Sequence, residues 1–210
     1  MIYNKLIRID TFLIIFWLSI IFITSCSTIE PNMKANSCIL FKEKKFWYKD
    51  AKKSYDSWGV PISLQLAIIN QESSFSQYAK PKRNKIIGII PWKRPTTAFG
   101  FAQVVNPTWE WYKNKTGNHN ASRANFGDIT DFIGWYVTQT NIILGIPKDD
   151  AYNQYLAYHE GQQGYKNKSF RDKEWLKKAA KNVKKKSLLY NSQLVECEKK
   201  LNKKGIFGFL

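Results

Sequence analysis

LQLAIINQESSF, residues 64 to 75, is the stretch on which both the fold and the chemistry turn. Leu66 and Ile69, with Ile62 upstream, repeat at the spacing of one helical face, which predicts a helix ending at Glu72. An acid at the end of an apolar segment is held against apolar walls. Its charged form is disfavoured there, so its pKa rises and it keeps a proton near neutral pH, as a glycosidic general acid must. A solvated helix end is the ordinary reading of one such residue. The rest of the chain has to decide between the two.

Upstream, Met1 to Asp10 carries Lys5 and Arg8, Thr11 to Ile23 is almost wholly apolar, and Ile23-Thr24-Ser25-Cys26 closes the segment. The apolar run is shorter than the ~20 residues of a spanning helix, and its basic front and small-residue end are those of an export signal. The closing tetrapeptide resembles the bacterial lipobox, whose cysteine becomes an acylated first residue, although Leu is commoner than Ile at its first position. Residues 1–25 are therefore expected to be a lipoprotein signal peptide, 26–37 a lipidated tether and 38–210 the folded domain. An uncleaved N-terminal anchor is the alternative. Either way the domain faces the cell envelope, held to a membrane at its N-terminus. Ser27 after Cys26, in place of an inner-membrane retention Asp, favours the outer membrane.

The 210 residues carry a formal charge of +17, and removal of residues 1–25 leaves 185 residues at +16, the size of one domain and one monomer. So basic a chain suits an anionic partner. The export signal argues against nucleic acid. Lysines gather at Lys42 to Lys53 and at Lys173 to Lys204, where solvated helix faces are a better reading than a binding patch. With Cys26 assigned to lipid, Cys38 and Cys197 are an even pair in an oxidising compartment; a disulfide is the simplest reading and two buried thiols the alternative. The only histidines, His119 and His159, lack a paired ligand spacing, so no metal site and no cofactor are expected.

Ile39 to Trp58 reads as one basic amphipathic helix with Trp47, Ala51, Tyr55 and Trp58 on its inner face, stopped by Gly59; Pro61 suits the first turn of the next helix. Residues 76–98, with Pro81, Gly88, Pro91 and Pro95, break the periodicity and read as a long loop with a small hairpin. Gly100 to Gln103 predicts a turn or short helix ahead of a helix from Pro107 to about Lys115. Asp128 is expected to cap a long core helix that Gly145 and Pro147 end. Ala151 to His159 reads as a short helix, and two amphipathic helices follow from Lys173 onward. The Gly205 to Leu210 ending is too short to span a membrane. No convincing set of alternating strands follows the signal, so the fold class is mainly α.

Glu72-Ser73 after an apolar helix, Gly100-Phe101-Ala102-Gln103, and Ala157-Tyr158-His159-Glu160-Gly161, in that order, resemble the three signature motifs of lytic transglycosylases with the soluble-transglycosylase (SLT), lysozyme-like domain. The likeness covers roughly Phe46 to Leu194. It implies a mainly helical lysozyme-like fold that cleaves the bond between N-acetylmuramic acid and N-acetylglucosamine in peptidoglycan strands. It makes Glu72 the sole catalytic acid and base, places Gln103 along the sugar groove with Gly100 allowing close backbone approach, and sets Tyr158 by the acid. Phe101, His159 and Glu160 fall within the motifs as substrate-side candidates. His159 stands where many members have Asn. The stretch from Glu72 to Gly100 is longer and more basic than a minimal SLT domain needs, so Ser73, Ser74 and Thr97 are all candidates for the family's groove serine.

The reaction this implies needs no second carboxylate, because the substrate's own N-acetyl carbonyl assists and the muramic ring closes to a 1,6-anhydro product. Two alternatives stay open. One is a lysozyme-type hydrolase in which Glu160 or Asp128 positions a water. The other is a non-catalytic envelope lipoprotein that binds glycan through its basic surface and its Trp and Tyr side chains.

Overall fold

The computed structural model describes residues 31–86 and 90–204. The expected signal segment, the Cys26 lipidation position and the Gly205 to Leu210 ending lie outside the described residues. Eight helices follow in order: α1 Pro31–Ala35, α2 Ser37–Glu43, α3 Lys45–Trp58, α4 Ile62–Ser73, α5 Asn106–Thr116, α6 Phe126–Leu144, α7 Ala151–Lys166 and α8 Glu174–Lys204. Between α4 and α5, β1 Lys85–Ile86 pairs antiparallel with β2 Ile90–Pro91, which is the small hairpin expected in 76–98.

Everything is arranged around α4. Residues 62 to 69 are buried without interruption, so the helix is wrapped on all sides rather than along the one face the Ile62, Leu66, Ile69 spacing marks. An apolar helix with no polar stripe has to be central. It packs chiefly on α8, while α3 packs on α6 and α7 on α8. Gly134 makes the α3–α6 approach possible, because a Cβ there would stand 2.5 Å from the Trp58 ring and 2.6 Å from Ser54 Oγ. Ser54 Oγ donates to the Thr130 carbonyl at 2.6 Å across the same contact.

Several expected elements are corrected. Ile39 to Trp58 is not one helix: Lys44 leaves helical geometry at φ −107°, ψ 67°. The break lets Leu40 and Phe41 enter the core beside α8 while Tyr48, Ala51 and Ser54 face inward from α3. Tyr55, expected inside, is 44 % exposed. The α6 cap is Asn125, whose side chain accepts from the Asp128 N–H at 3.1 Å. Helix α7 runs on past His159 through a kink at Gly161 to Lys166. The two expected C-terminal helices are one helix of 31 residues, about 46 Å long; no Gly or Pro interrupts residues 174 to 204. The expected tether also carries structure, since α1 docks on α8 through Tyr190 to the Lys34 carbonyl and Gln193 to the Ala35 carbonyl.

Cys38 and Cys197 form the disulfide, with Cα atoms 6.0 Å apart at a sequence separation of 159. It holds α2 against the far half of α8. Closing so long a loop lowers the entropy of the unfolded chain, worth about 5 kcal/mol in the chain-entropy model and often less in practice. Cys38→Ser with Cys197→Ser is expected to cost about 2–5 kcal/mol in urea unfolding, and reductant should produce the same loss in the parent but none in the double variant.

Candidate functional site

Glu72 occupies the last turn of α4 and is partly buried. The chain then turns sharply: Ser74 and Phe75 adopt φ of 51° and 63°, a region that costs L-residues roughly 1–2 kcal/mol each. The strain is held by packing. Phe75 is 2 % exposed and stacks on Trp47 at 6.1 Å. Trp47 in turn stacks on Phe126 at 4.1 Å and meets Phe101 edge-on at 5.5 Å. One indole therefore ties together α3, the exit of α4, the turn at 100–103 and the start of α6. Strained backbone of this kind persists where the surroundings over-determine it, and it clusters at functional sites.

Tyr155 Oη donates to Glu72 Oε1 at 2.9 Å. One turn later on α7, Tyr158 Oη donates to the Ala102 carbonyl at 2.6 Å, and the two rings lie 6.3 Å apart, nearly parallel. The three motifs thus meet through two tyrosines: one holds the acid, the other holds the Gly100 to Gln103 turn. Burial raises the Glu72 carboxyl to about 7, with the Tyr155 hydrogen bond pulling the other way. Among the described residues no charged side chain contributes to that shift. Burial, together with the neighbouring Glu72 charge, pushes both tyrosine hydroxyls well above their ordinary range, so they remain donors.

The Gly100 turn is built by backbone contacts. Gly100 has φ 77°, and a Cβ there would lie 2.0 Å from the Arg123 carbonyl oxygen. The close approach expected at Gly100 is therefore to the protein's own chain at residue 123. Gln103, itself at φ 48°, donates from Nε2 to the Ala79 and Gly100 carbonyls at 3.0 and 2.9 Å. Both partners are acceptors, so the amide nitrogen is committed to holding the loop. Arg123 completes the frame, donating to the Thr97 carbonyl at 3.0 Å and the Val104 carbonyl at 2.6 Å.

The other candidates differ in how far the fold already engages them. Phe101 is 3 % exposed and belongs to the core, so it has no surface to offer a sugar. Both Glu160 oxygens are taken, by Lys173 at 2.8 Å, by Ser169 and by His159 at 3.1 Å. Burial opposes its charge, but those hydrogen bonds and the Lys173 cation prevail and hold the carboxyl down at about 2. It is a clamp between α7 and the start of α8. His159 is exposed and packs its ring edge on Trp175 at 5.0 Å. Ser73 turns its hydroxyl back to the Ile69 carbonyl at 3.3 Å. The Thr97 hydroxyl accepts the first N–H of α5 at 3.0 Å, a capping role. Of the three hydroxyl candidates, Ser74, exposed and next to the acid's own turn, keeps a side chain uncommitted among the described residues.

Asp128 and His119 lie elsewhere, lining a cavity of about 720 Å³ with Asp50, Tyr112 and Asp131, whose lining does not include Glu72. Asp128 Oδ2 accepts from the Ser122 N–H at 2.8 Å. No group of three or more His, Cys, Asp or Glu among the described residues is arranged so that it could hold a metal ion. Tyr155, Lys173 and Arg123 are the residues that sequence reasoning missed. Only Tyr155 carried a signal, its i, i+3 spacing from Tyr158; the other two act from loops or across helices.

The raised acidity constant has two measurable consequences. Glu72 binds its proton more tightly folded than unfolded, so its stabilising share is complete below pH 4.5 and is lost as pH rises through about 7. Glu72→Gln is therefore expected to unfold at higher denaturant than the parent above pH 7, by on the order of 2–3 kcal/mol, with the gap closing toward pH 4. Tyr155→Phe removes the hydrogen bond that lowers the Glu72 value, so any pH profile that reports Glu72 should move its alkaline limb to higher pH. A profile unmoved by Tyr155→Phe would mean that another group sets it.

A family model described as "Transglycosylase SLT domain" matches residues 14–197. Comparison with curated proteins finds no match, and comparison with solved structures finds none either. The match spans most of the chain and all three motifs that the two tyrosines join, and the helical architecture is that of the lysozyme-like SLT domain. The chain belongs to the transglycosylase SLT domain family, the peptidoglycan lytic transglycosylases.

Proposed function

We propose that this protein is a lipid-anchored lytic transglycosylase that cuts the β-1,4 bond between N-acetylmuramic acid and N-acetylglucosamine, with Glu72 as its single acid and base. The observation that carries this reading is the state of the Glu72 carboxyl: partly buried, raised to about 7 by that burial, and hydrogen-bonded by Tyr155. An acid poised near the operating pH is suited to give and then take a proton.

In the first step Glu72 donates its proton to the glycosidic oxygen, and the N-acetylglucosamine side leaves as a 4-hydroxyl. The muramic N-acetyl carbonyl oxygen supports the electron-poor C1 from within the substrate. Glu72, now ionised and still steadied by Tyr155, removes the proton from the C6 hydroxyl. O6 then bonds to C1 and the ring closes as 1,6-anhydro-N-acetylmuramic acid. The acid returns protonated and no water is consumed. Tyr158 and Gln103 act as positioning residues, keeping the Ala102 carbonyl and the Ala79 to Gly100 corner at fixed offsets from the acid.

Hydrolysis would need a second carboxylate to steer water. Glu160 is neutralised by Lys173, and Asp128 is bound to the Ser122 N–H beside another cavity. Both observations weigh toward transglycosylation. Acylation of Cys26 in the outer membrane, with a monomeric domain facing the wall, completes the proposal. It draws on the export segment and the lipobox-like Ile23 to Cys26.

The test is digestion of purified sacculi by the detergent-solubilised full chain, with mass analysis of the new ends. Anhydro ends are expected, and Glu72→Gln should lower their release at least about 100-fold while remaining folded. Reducing ends from the parent would establish a hydrolase, and anhydro ends from Glu72→Gln would remove Glu72 from the chemistry.

A further inference from the structure

From Ser73 to Trp109 the chain contains no Asp or Glu, yet it carries Lys80, Lys82, Arg83, Lys85, Lys93 and Arg94. That imbalance begins one residue after the candidate acid. Helix α8 also runs without an Asp or Glu from Trp175 to Val195, with six lysines, but it lies far along the chain from Glu72. The ion pairs of the described residues, such as Lys52–Asp56, Lys113–Glu110 and Lys177–Glu174, all lie outside the 73–109 segment. Lys80, Lys82, Arg83, Lys93 and Arg94 are exposed and have no carboxylate partner among the described residues.

The segment is shaped and anchored. The Trp92 N–H donates to the Asn84 carbonyl at 2.7 Å, and Arg94 donates across to the Pro81 carbonyl. Lys82 and Arg83 on one leg are thereby carried alongside Lys93 and Arg94 on the other. Both feet stand on the catalytic turn: the Ala79 carbonyl accepts from Gly100 N at 2.9 Å and from Gln103 Nε2, and the Thr97 carbonyl accepts from Arg123. At the base, Lys80 and Arg123 lie 5.3 and 5.5 Å from the Phe99 ring centroid. A solvated charge run is usually free of such fixings.

We propose that these exposed cations form an arm that binds the carboxylates of the peptide stems on the strand being cut; this rests on the transglycosylase reading given above. Peptidoglycan stems hang by amide bonds from the muramic lactyl groups and carry free carboxylates, whereas the sugars of a stem-bearing strand carry none, because their lactyl carboxyls are taken up in those amides. An arm rooted on the turn that frames Glu72 meets the stems of the sugars flanking the cleavage point. Clustered cations on one side of a cleft raise the local concentration of such a substrate in a salt-dependent way. The arm therefore makes the protein selective for strands with ionised stem carboxylates over strands whose stem carboxylates are amidated.

The experiment measures co-sedimentation or retention of the full chain on matched stem-bearing glycan strands, one set with free stem carboxylates and one with those carboxylates converted to amides, at low and high salt. Stripping the stems with an amidase is avoided because it bares the lactyl carboxylates. Glu72→Gln serves as the background so that binding is read without cleavage. Preference for strands with free stem carboxylates is expected, with Lys82→Gln, Arg83→Gln and Lys93→Gln together reducing it about three- to tenfold and leaving binding to the amidated strands unchanged. Equal binding to both strand types, or an undiminished preference in the triple variant, overturns the arm. So does a triple variant that loses only its binding to anionic phospholipid vesicles, which would make this a membrane contact. Failure of the transglycosylase reading shows separately, as absence of anhydro ends from the parent on either strand.

Discussion

The constraint on which the structure depends is the complete burial of α4 up to the point where it delivers a carboxylate. A helix buried throughout from Ile62 to Ile69 must be surrounded, and α3, α6 and α8 supply the wrapping. Its last turn then leaves Glu72 partly enclosed, with Tyr155 as its hydrogen-bonding partner. The same burial that stabilises the helix by removing apolar surface from water raises the energy of the carboxylate at its end. Stability and chemistry are thus opposed at one residue, as is usual where a site is built for function.

Two devices hold that residue in place. The Trp47 aromatic cluster seats Phe75 and so fixes the strained exit from α4. The Tyr155 and Tyr158 pair on α7 then relates the acid to the Gly100 turn. Neither device is adjustable over small distances, because close-packed rings and buried hydrogen bonds have few alternative arrangements. The Cys38–Cys197 bridge closes the outside of the same bundle, between α2 and α8, far along the chain from the site residues it indirectly supports.

Glu160 shows how position in a motif differs from position in space. It follows His159 directly, yet its carboxylate is spent on Lys173 and Ser169 to set the start of α8. Phe101 and Gly100 make the same point from the other side. Each has a reason to be what it is, core packing for one and a carbonyl 2.0 Å from a hypothetical Cβ for the other, that belongs to the fold.

What the sequence determined by itself was the set of elements and the chemistry of one residue. Uninterrupted apolar runs, glycine stops and helical spacing are local properties, so the mainly α class, the α4 end at Glu72, the hairpin within 76–98 and the Cys38–Cys197 pair were all legible. Charge balance along the chain was legible too, including the acid-free basic segment after Glu72. Only the tertiary structure decided which polar groups meet. Tyr155 reaches Glu72 across 83 residues, Tyr158 reaches Ala102 across 56, and Arg123 braces a turn from a loop without periodicity. Such contacts depend on how helices cross and on where a chain kinks, as at Lys44 and Gly161. No one-dimensional spacing records that geometry, since it is set by packing between segments distant in the chain.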